Sequence, residues 1–223
     1  MTQDYSEPKE LMRMASTLKE KAYLQLKKLI REGKFQTGDM LTERHLVELL
    51  QMSRTPIRAA LERLEAEGLV QYTPNKGIQL LEISLQRAAD IYDFRMAIET
   101  YIARRLSACI LTNEQIGMVQ ANLDEQKFHV QKDDYESFTR ADLEFHLLLA
   151  RFYENQEMIH AIDRLQNQLF RIAMNVLRKD RNRIQVSYQD HVAIFEHVRK
   201  GDAAGAEEAM MRHLEYGKRI LVM

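Results

Sequence analysis

Seven histidines occur in the 223 residues, and three of them, with one aspartate, have spacings that suit metal chemistry. Asp142 and His146 lie four residues apart, so on a helix both project from one face, a turn apart. Leu143, Phe145, Leu147, Leu148 and Leu149 surround them and direct both polar groups inward. His191 precedes Gly201 by ten residues and His213 follows it by twelve. At about 1.5 Å rise per residue they lie roughly 15 and 18 Å from that turn, which brings them level on antiparallel helices. Three imidazoles and a carboxylate facing one interior make a site for a borderline divalent ion, zinc first and nickel or manganese next. A lone histidine on an apolar face is ordinarily a hydrogen-bonded core residue; the level pairing of His191 with His213 is what favours a ligand set. His45 falls in the N-terminal region, His129 and His160 near helix ends, and His197 off the face of His191. A hydrolase using such an ion to activate water would need a general base near its open position. Glu144 points off the Asp142/His146 face and no other candidate is apparent, so catalysis is not expected.

A second group of residues suits nucleic acid. From Arg44 to Arg58 there are three arginines and one acid, Glu48, a local balance of +2. Arg54 and Arg58 share a helix face, and either can take guanine O6 and N7 bidentately. The hydroxyls of Ser53 and Thr55 suit phosphate or base contacts. Asn75, Lys76 and Gly77 form a turn that can reach the minor groove or the backbone. Two arginines on a helix face are also an ordinary solvated surface, and small helical modules with a hairpin also bind proteins.

The elements that must carry these residues follow from apolar periodicity. Leu18, Tyr23, Leu26, Leu29 and Ile30 mark a first helix that stops at Gly33. Thr42 caps a short second helix bearing Leu46, Val47, Leu49 and Leu50. Ser53 caps a third, with Pro56 in its first turn and Ile57, Ala60, Leu61 and Leu64 on its buried face. Residues 69–72 and 78–81 read as strands joined by the 74–77 turn, which completes a winged helix-turn-helix. Beyond Ser84 six amphipathic helices are expected at 84–109, 112–131, 134–153, 155–179, 183–200 and 202–222. The expected fold is mainly α: a flexible N-terminal arm (1–16), a winged helix-turn-helix DNA-binding domain (17–83) and an all-α six-helix bundle (84–223).

Composition sets bounds. The single cysteine excludes a disulfide framework and multi-cysteine zinc modules, and points to a reducing cytosol. Cys109, at a helix end, is expected to be a buried small residue, and the twelve methionines core filler. No apolar run reaches the roughly 18 residues of a membrane span, and the polar, acidic start is no signal peptide. The net charge of −1 argues against nucleic acid only on average. Residues 1–82 hold 13 basic and 12 acidic side chains, so any DNA contact rests on the local excess between Arg44 and Arg58.

The run Leu41-Thr42-Glu43-Arg44, the segment 53–61 (SRTPIRAAL) and the segment 64–70 (LEAEGLV) followed by Gly77 resemble the N-terminal domain of GntR-type bacterial transcription regulators, over about residues 17–83. The resemblance implies operator contacts at Arg44, Arg54, Thr55, Arg58 and the Lys76-Gly77 wing tip. It departs at Thr37-Gly38, where the family commonly has Pro-Gly. Residues 84–223 resemble the FCD ligand-binding domain of the FadR branch. There Asp90-Ile-Tyr-Asp-Phe-Arg95 with Glu99 matches the opening helix, and the six helices match the shorter VanR-like subgroup. That likeness implies Asp142, His146, His191 and His213 as ligands of an ion that holds a small carboxylate effector, with Arg95 at a position that faces the effector; an ion pair of Arg95 with Glu99 on the same helix face is the equal alternative. The reading is a cytoplasmic homodimeric repressor on a palindromic double-stranded operator, with no membrane partner. The alternative keeps DNA binding with a structural or sensing metal and no organic effector.

Overall fold

The computed structural model describes residues 7–31, 34–35, 40–81 and 83–222. The chain divides into two compact units, Met1–Glu82 and Ile83–Met223. The expected helix stop at Gly33, the Thr37-Gly38 departure and residues 1–6 of the expected arm lie outside the described residues.

In the first unit the described residues form α1 (Glu7–Arg31), β1 (Met40–Leu41), α2 (Glu43–Leu50), α3 (Arg54–Ala66), β2 (Val70–Thr73) and β3 (Gly77–Leu80). Residues 7–16, expected as part of a flexible arm, are helical. The repeat Leu11, Met14, Ala15, Leu18 continues the helical period toward the N-terminus and outweighs the polar start. Ala22, Leu26 and Ile30 bury one stripe of α1 beside Ile57, Leu61 and Leu64 of α3. At the margin of that core, which includes the buried Tyr23, the Arg63 guanidinium lies 3.6 Å over the Tyr23 ring, and Tyr23 Oη donates to Glu67 at 2.6 Å. Helix α3 ends in a Schellman motif: Leu69 N donates to Leu64 O at 3.0 Å and Gly68 N to Glu65 O at 2.8 Å, with Gly68 at φ 67°. Both Leu64 and Leu69 are buried, which supplies the accompanying apolar contact.

The sheet is antiparallel with order β1-β3-β2, so the expected hairpin gains a third strand. Two residues, Met40 and Leu41, are too few to show a period-two pattern, which is why β1 has no sequence signature. Gly77 holds the sheet together at φ 120°, where a Cβ would fall 1.9 Å from the Leu41 carbonyl oxygen and 2.7 Å from Thr42 Cα.

In the second unit the described residues form α4 (Leu85–Leu106), α5 (Asn113–Gln131), α6 (Tyr135–Tyr153), α7 (Gln156–Lys179), α8 (Arg183–Lys200) and α9 (Ala203–Val222). Helix α4 packs along α9, and α5–α6 and α8–α9 form antiparallel hairpins. Thr112 and Gln115 make the expected capping box on α5. Gly201 ends α8 at φ 73°, with Asp202 N donating to His197 O at 3.0 Å, and Asp202 Oδ1 then caps α9 through Gly205 N at 3.0 Å. Helix α6 is the central element, touching α4, α5, α7 and α8. From Ala141 to Ala150 every residue except Asp142 and Glu144 is buried, the pattern of a helix surrounded by others. Because α4 stops at Leu106, Cys109 lies beyond its end and is exposed, contrary to expectation.

Replacing Gly77 with Ala forces a methyl into the Leu41 carbonyl at a strained φ. We expect a loss of about 2 kcal/mol or more in the stability of the N-terminal unit, read from the urea midpoint. An unchanged midpoint would show that β1 yields freely.

Candidate metal centre and nucleic-acid interface

Helices α6, α8 and α9 bring Asp142, His146, His191 and His213 together, each offering an atom such that all four lie within 4.8 Å of one another. His191 is fully buried, His146 and His213 nearly so, and the Asp142 side chain is 13% exposed. Phe145 stacks on the His191 ring at 4.3 Å between centroids and fixes its plane.

Which ring nitrogens face the centre follows from their partners. The Ala141 carbonyl can only accept, so the 3.0 Å contact makes Asn122 Nδ2 the donor. Asn122 Oδ1 therefore accepts from Gln126 Nε2 at 2.7 Å, and Gln126 Oε1 accepts from His191 Nδ1 at 2.8 Å. His191 Nδ1 then carries the proton, and the Nε2 lone pair faces the cluster. His213 Nδ1 lies 3.1 Å from Asp190 Oδ2 and 3.1 Å from Arg183 Nη2. Arg183 has a better acceptor in the His213 carbonyl at 3.0 Å, so Nδ1–H donates to Asp190 and Nε2 is free. His146 Nδ1 sits 2.6 Å from Glu99 Oε2 as an ion-pair contact, and both ring nitrogens of His146 are buried without an aligned hydrogen bond.

Three lone pairs thus converge, with His191 Nε2 3.3 Å from His213 Nε2 and 3.5 Å from Asp142 Oδ1. At metal–ligand bonds of about 2.0–2.1 Å, neighbouring ligands of a tetrahedral ion stand roughly 3.4 Å apart. The orphaned Nε2 of His146 and these spacings fit an ion. The far nitrogens of His191 and His213 are held by Gln126 and Asp190, and that of His146 lies against Glu99, an outer layer of the kind that orients metal-binding imidazoles.

Burial first, then neighbouring positive groups, push His191 and His213 well below the usual imidazole range, so both are neutral near pH 7. Burial raises Asp142, partly offset by His146, Arg95 and Arg183. Burial also raises Glu99, but Arg95 and His146 outweigh it and bring the carboxyl to about 2. Arg95 makes a two-pronged pair with Glu99, Nε to Oε1 at 2.6 Å and Nη2 to Oε2 at 3.3 Å. Arg95 also lines a cavity of about 40 Å³ that reaches Asp142 and His213, with Tyr92, Thr139, Arg183 and Ser187. Arg183, Gln126 and Asn122 had no assigned role in the sequence; Arg183 and Asp190, seven apart on one face, were the available signal. Glu144 pairs with Arg151 at 2.7 Å on the surface, away from the cluster.

In the first unit, Ser53, Arg54, Thr55, Asn75 and Lys76 are exposed. Ser53 is the N-cap by position but makes no side-chain cap bond, so its hydroxyl is free; Thr42 does cap α2 through His45 N at 3.2 Å. Arg44 is exposed and pairs with Glu48. Arg58 is held: its Nε donates to Glu43 Oε2 at 3.0 Å and its Nη2 to Asn75 Oδ1 at 2.7 Å. Glu43, buried at the start of α2, also accepts from Tyr72 Oη at 2.8 Å and Asn75 N at 3.0 Å. One carboxylate therefore ties α2, α3 and the wing. Burial raises its pKa, but the bonds from Tyr72, Asn75 and Arg58 prevail and lower it. Glu43 lay within the motif that carried the resemblance, yet a single acid at a helix start reads as a dipole effect.

Both pKa patterns lower stability toward acid, in different pH windows. A histidine depressed in the folded state stays neutral while its unfolded counterpart protonates, so stability falls as pH drops below about 6.5. Glu43 and Glu99 contribute above about 4.5 and lose that contribution as pH falls further. Metal-free protein should therefore soften in two stages, the first between pH 6.5 and 5.5. A melting temperature flat over that first interval would contradict the neutral His191 and His213.

Residues 18–80 match the bacterial regulatory proteins of the gntR family, and residues 90–216 match the FCD domain. The chain is 26% identical over 196 residues to the HTH-type transcriptional regulator YdhC of Bacillus subtilis (strain 168), covering 87% of this chain and 86% of that protein. It is 28% identical over 179 residues to the HTH-type transcriptional repressor RspR of Escherichia coli (strain K12), covering 80% and 77%. In fold it is similar to a crystal structure of a putative GntR transcriptional regulator from Rhodococcus sp. RHA1, with a TM-score of 0.80 at 18% identity, over 92% of this chain and 97% of that one. No described helix is long and apolar enough to cross a membrane. A winged helix-turn-helix joined to an FCD helical unit identifies this chain as a DNA-binding transcription regulator, not an enzyme, belonging to the FCD-containing branch of the GntR family.

Proposed function

We propose that the protein is a homodimeric repressor that binds a palindromic operator, and that a divalent ion and a small carboxylate effector in its helical domain alter that binding. The observation that carries the effector reading is the convergence of three imidazole lone pairs and Asp142 beside a cavity lined by two guanidinium groups. Asp142, His146, His191 and His213 would hold the ion, with zinc favoured over nickel or manganese by the nitrogen-rich donor set. When bound, it supplies a Lewis-acidic centre for a carboxylate oxygen. Arg95 and Arg183 supply donors from the same cavity, and Glu99 and Asp190 hold them in place. Effector binding alters operator affinity to the extent that it favours one dimer geometry over another.

At the other end, Arg54 and Arg58 would read base edges from the start of α3, with Ser53 and Thr55 beside them. Arg44, Asn75, Lys76 and Gly77 would meet the backbone or minor groove. One specific observation favours a second reading: four protein donors are enough to close a tetrahedral ion, which would make the metal structural. Operator affinity measured without metal, with metal, and with metal plus carboxylates separates the two. An effector reading requires the third condition to differ from the second.

Elemental analysis of protein prepared without chelators should find about one divalent ion per chain. His146→Ala/His213→Ala protein retaining full occupancy would defeat the site. In gel shifts Arg54→Ala should relax selectivity at particular bases, at about 1–3 kcal/mol each. Lys76→Ala should weaken all sequences alike and reduce the salt slope by about one. Glu43→Gln should weaken operator binding by freeing Arg58 and the wing while the helices still fold; unaltered affinity would deny Glu43 a positioning role.

A further inference from the structure

Helix α4 is buried on the side that meets α6 and α9, and an uncovered stripe runs along its other side. Asp90, Phe94, Ala97, Ile98, Tyr101 and Arg105 fall within one arc of about 100° at the helical repeat. Five of them are exposed and Ile98 is half-buried. Phe94 and Tyr101 keep 38% and 43% of their surface open, two large aromatics turned to water on one helix face. The Tyr101 ring is held in place by Tyr153 of α6, edge-on with centroids 5.9 Å apart.

The charges on this side of the helix are of two kinds. Asp93 and Arg104, beside the stripe, pair with Lys218 and Glu207 of α9. Among the described residues neither Asp90 nor Arg105, which lie on the stripe, has an ion-pair partner, and Asp90 accepts one bond, from Gln86 at 2.8 Å. The order of the stripe supplies the partners. Outward from the midpoint between Ala97 and Ile98 come Tyr101 and then Arg105 in one direction, Phe94 and then Asp90 in the other, at equal spacings. When two such helices lie antiparallel about a two-fold axis at that midpoint, aromatic faces aromatic and acid faces base, each pair made twice. At 1.5 Å rise per residue Asp90 and Arg105 stand about 11 Å from the axis. With a crossing of about 20° the two helices have diverged there by roughly 4 Å, a gap that an arginine spans.

From this symmetry and the two unpaired charges we propose that the outer face of α4 is where two copies of this chain meet. The α4 helices cross antiparallel at Ala97 and Ile98, Phe94 packs on the partner's Tyr101, and Asp90 pairs with the partner's Arg105. The inference rests on the homodimer reading above and adds the surface and the register. A stripe complementary to itself selects a second copy over an unrelated partner. The inward face of the same helix carries Arg95 and Glu99, so the seam between copies and the metal-centred cavity share one rigid element.

The test is sedimentation equilibrium of the full-length wild type and of variants at these exposed positions, each checked for folding by far-ultraviolet circular dichroism. Wild type should be a dimer at micromolar concentration. Arg105→Asp sets acid against acid twice and should raise the dimer dissociation constant at least about tenfold. Asp90→Arg/Arg105→Asp exchanges the partners and should return it to within about threefold of wild type, a rescue that a merely structural role for either residue would not give. Ala97→Glu, which brings two carboxylates together at the axis, should give monomer. If that variant does not fold, Phe94→Ala/Tyr101→Ala takes its place with the same expectation. A dimer that withstands Arg105→Asp or the substitution at the axis, or an exchange that fails to restore association, overturns the proposal and leaves the homodimer reading standing. A monomeric wild type overturns both.

Discussion

A backbone carbonyl of α6 sets the chemistry of the helical domain. Ala141 O can only accept, so the amides of Asn122 and Gln126 have one possible orientation, and His191 must carry its proton on Nδ1. The donor–acceptor sense of the chain is thus passed from α6 through α5 to α8. The ring nitrogen that emerges at its end is a lone pair aimed at Asp142, the residue next to Ala141. A buried amide chain of this kind is costly if any member is unpaired, so it resists rearrangement. Asp190 does for His213 what Gln126 does for His191, and the Glu99 carboxylate lies against His146 Nδ1, so the Nε2 side of all three rings, on separate helices, is left for the cluster.

The DNA-binding unit has its own fixed point in Glu43. A carboxylate buried at the start of α2 has to be fully bonded, and its partners are Tyr72, the Asn75 amide and Arg58. That requirement sets the distance between α3 and the wing. Gly77, with Leu41 O directly above the position of its missing Cβ, fixes the wing from the other side. Arg58 is therefore pre-positioned, with its Nε and one Nη2 proton already engaged, while Arg54 is exposed. Pre-positioning lowers the entropy lost on binding and favours selection by geometry over bulk charge, in keeping with a chain whose net charge is −1.

Much of this was legible in the sequence because few residue types do the work and helical periodicity places them. Asp142, His146, His191 and His213 could be assembled from two spacings and one glycine turn, and the helices could be delimited by Thr112, Gly201 and Asp202. What escaped were parts without a signature. Gln126 and Asn122 are ordinary polar residues of an amphipathic helix until a carbonyl is found beside them. Arg183 and Glu43 look like surface charges until burial is known. β1 is shorter than any periodic pattern, and Cys109 changed from buried to exposed because α4 ended three residues sooner than its pattern suggested. The helical start of α1 was readable from Leu11, Met14 and Ala15, where polar composition was the misleading cue.

The central claim is that three imidazoles, each presenting Nε2, and one carboxylate hold a divalent ion. X-ray absorption at the zinc edge of zinc-loaded protein tests it most directly. The account predicts scattering from three imidazole rings with nitrogen or oxygen at about 2.0–2.1 Å, no sulfur shell, and loss of one ring's outer-shell signal in His213→Ala. A spectrum lacking imidazole scattering, or one unchanged by that substitution, would contradict it.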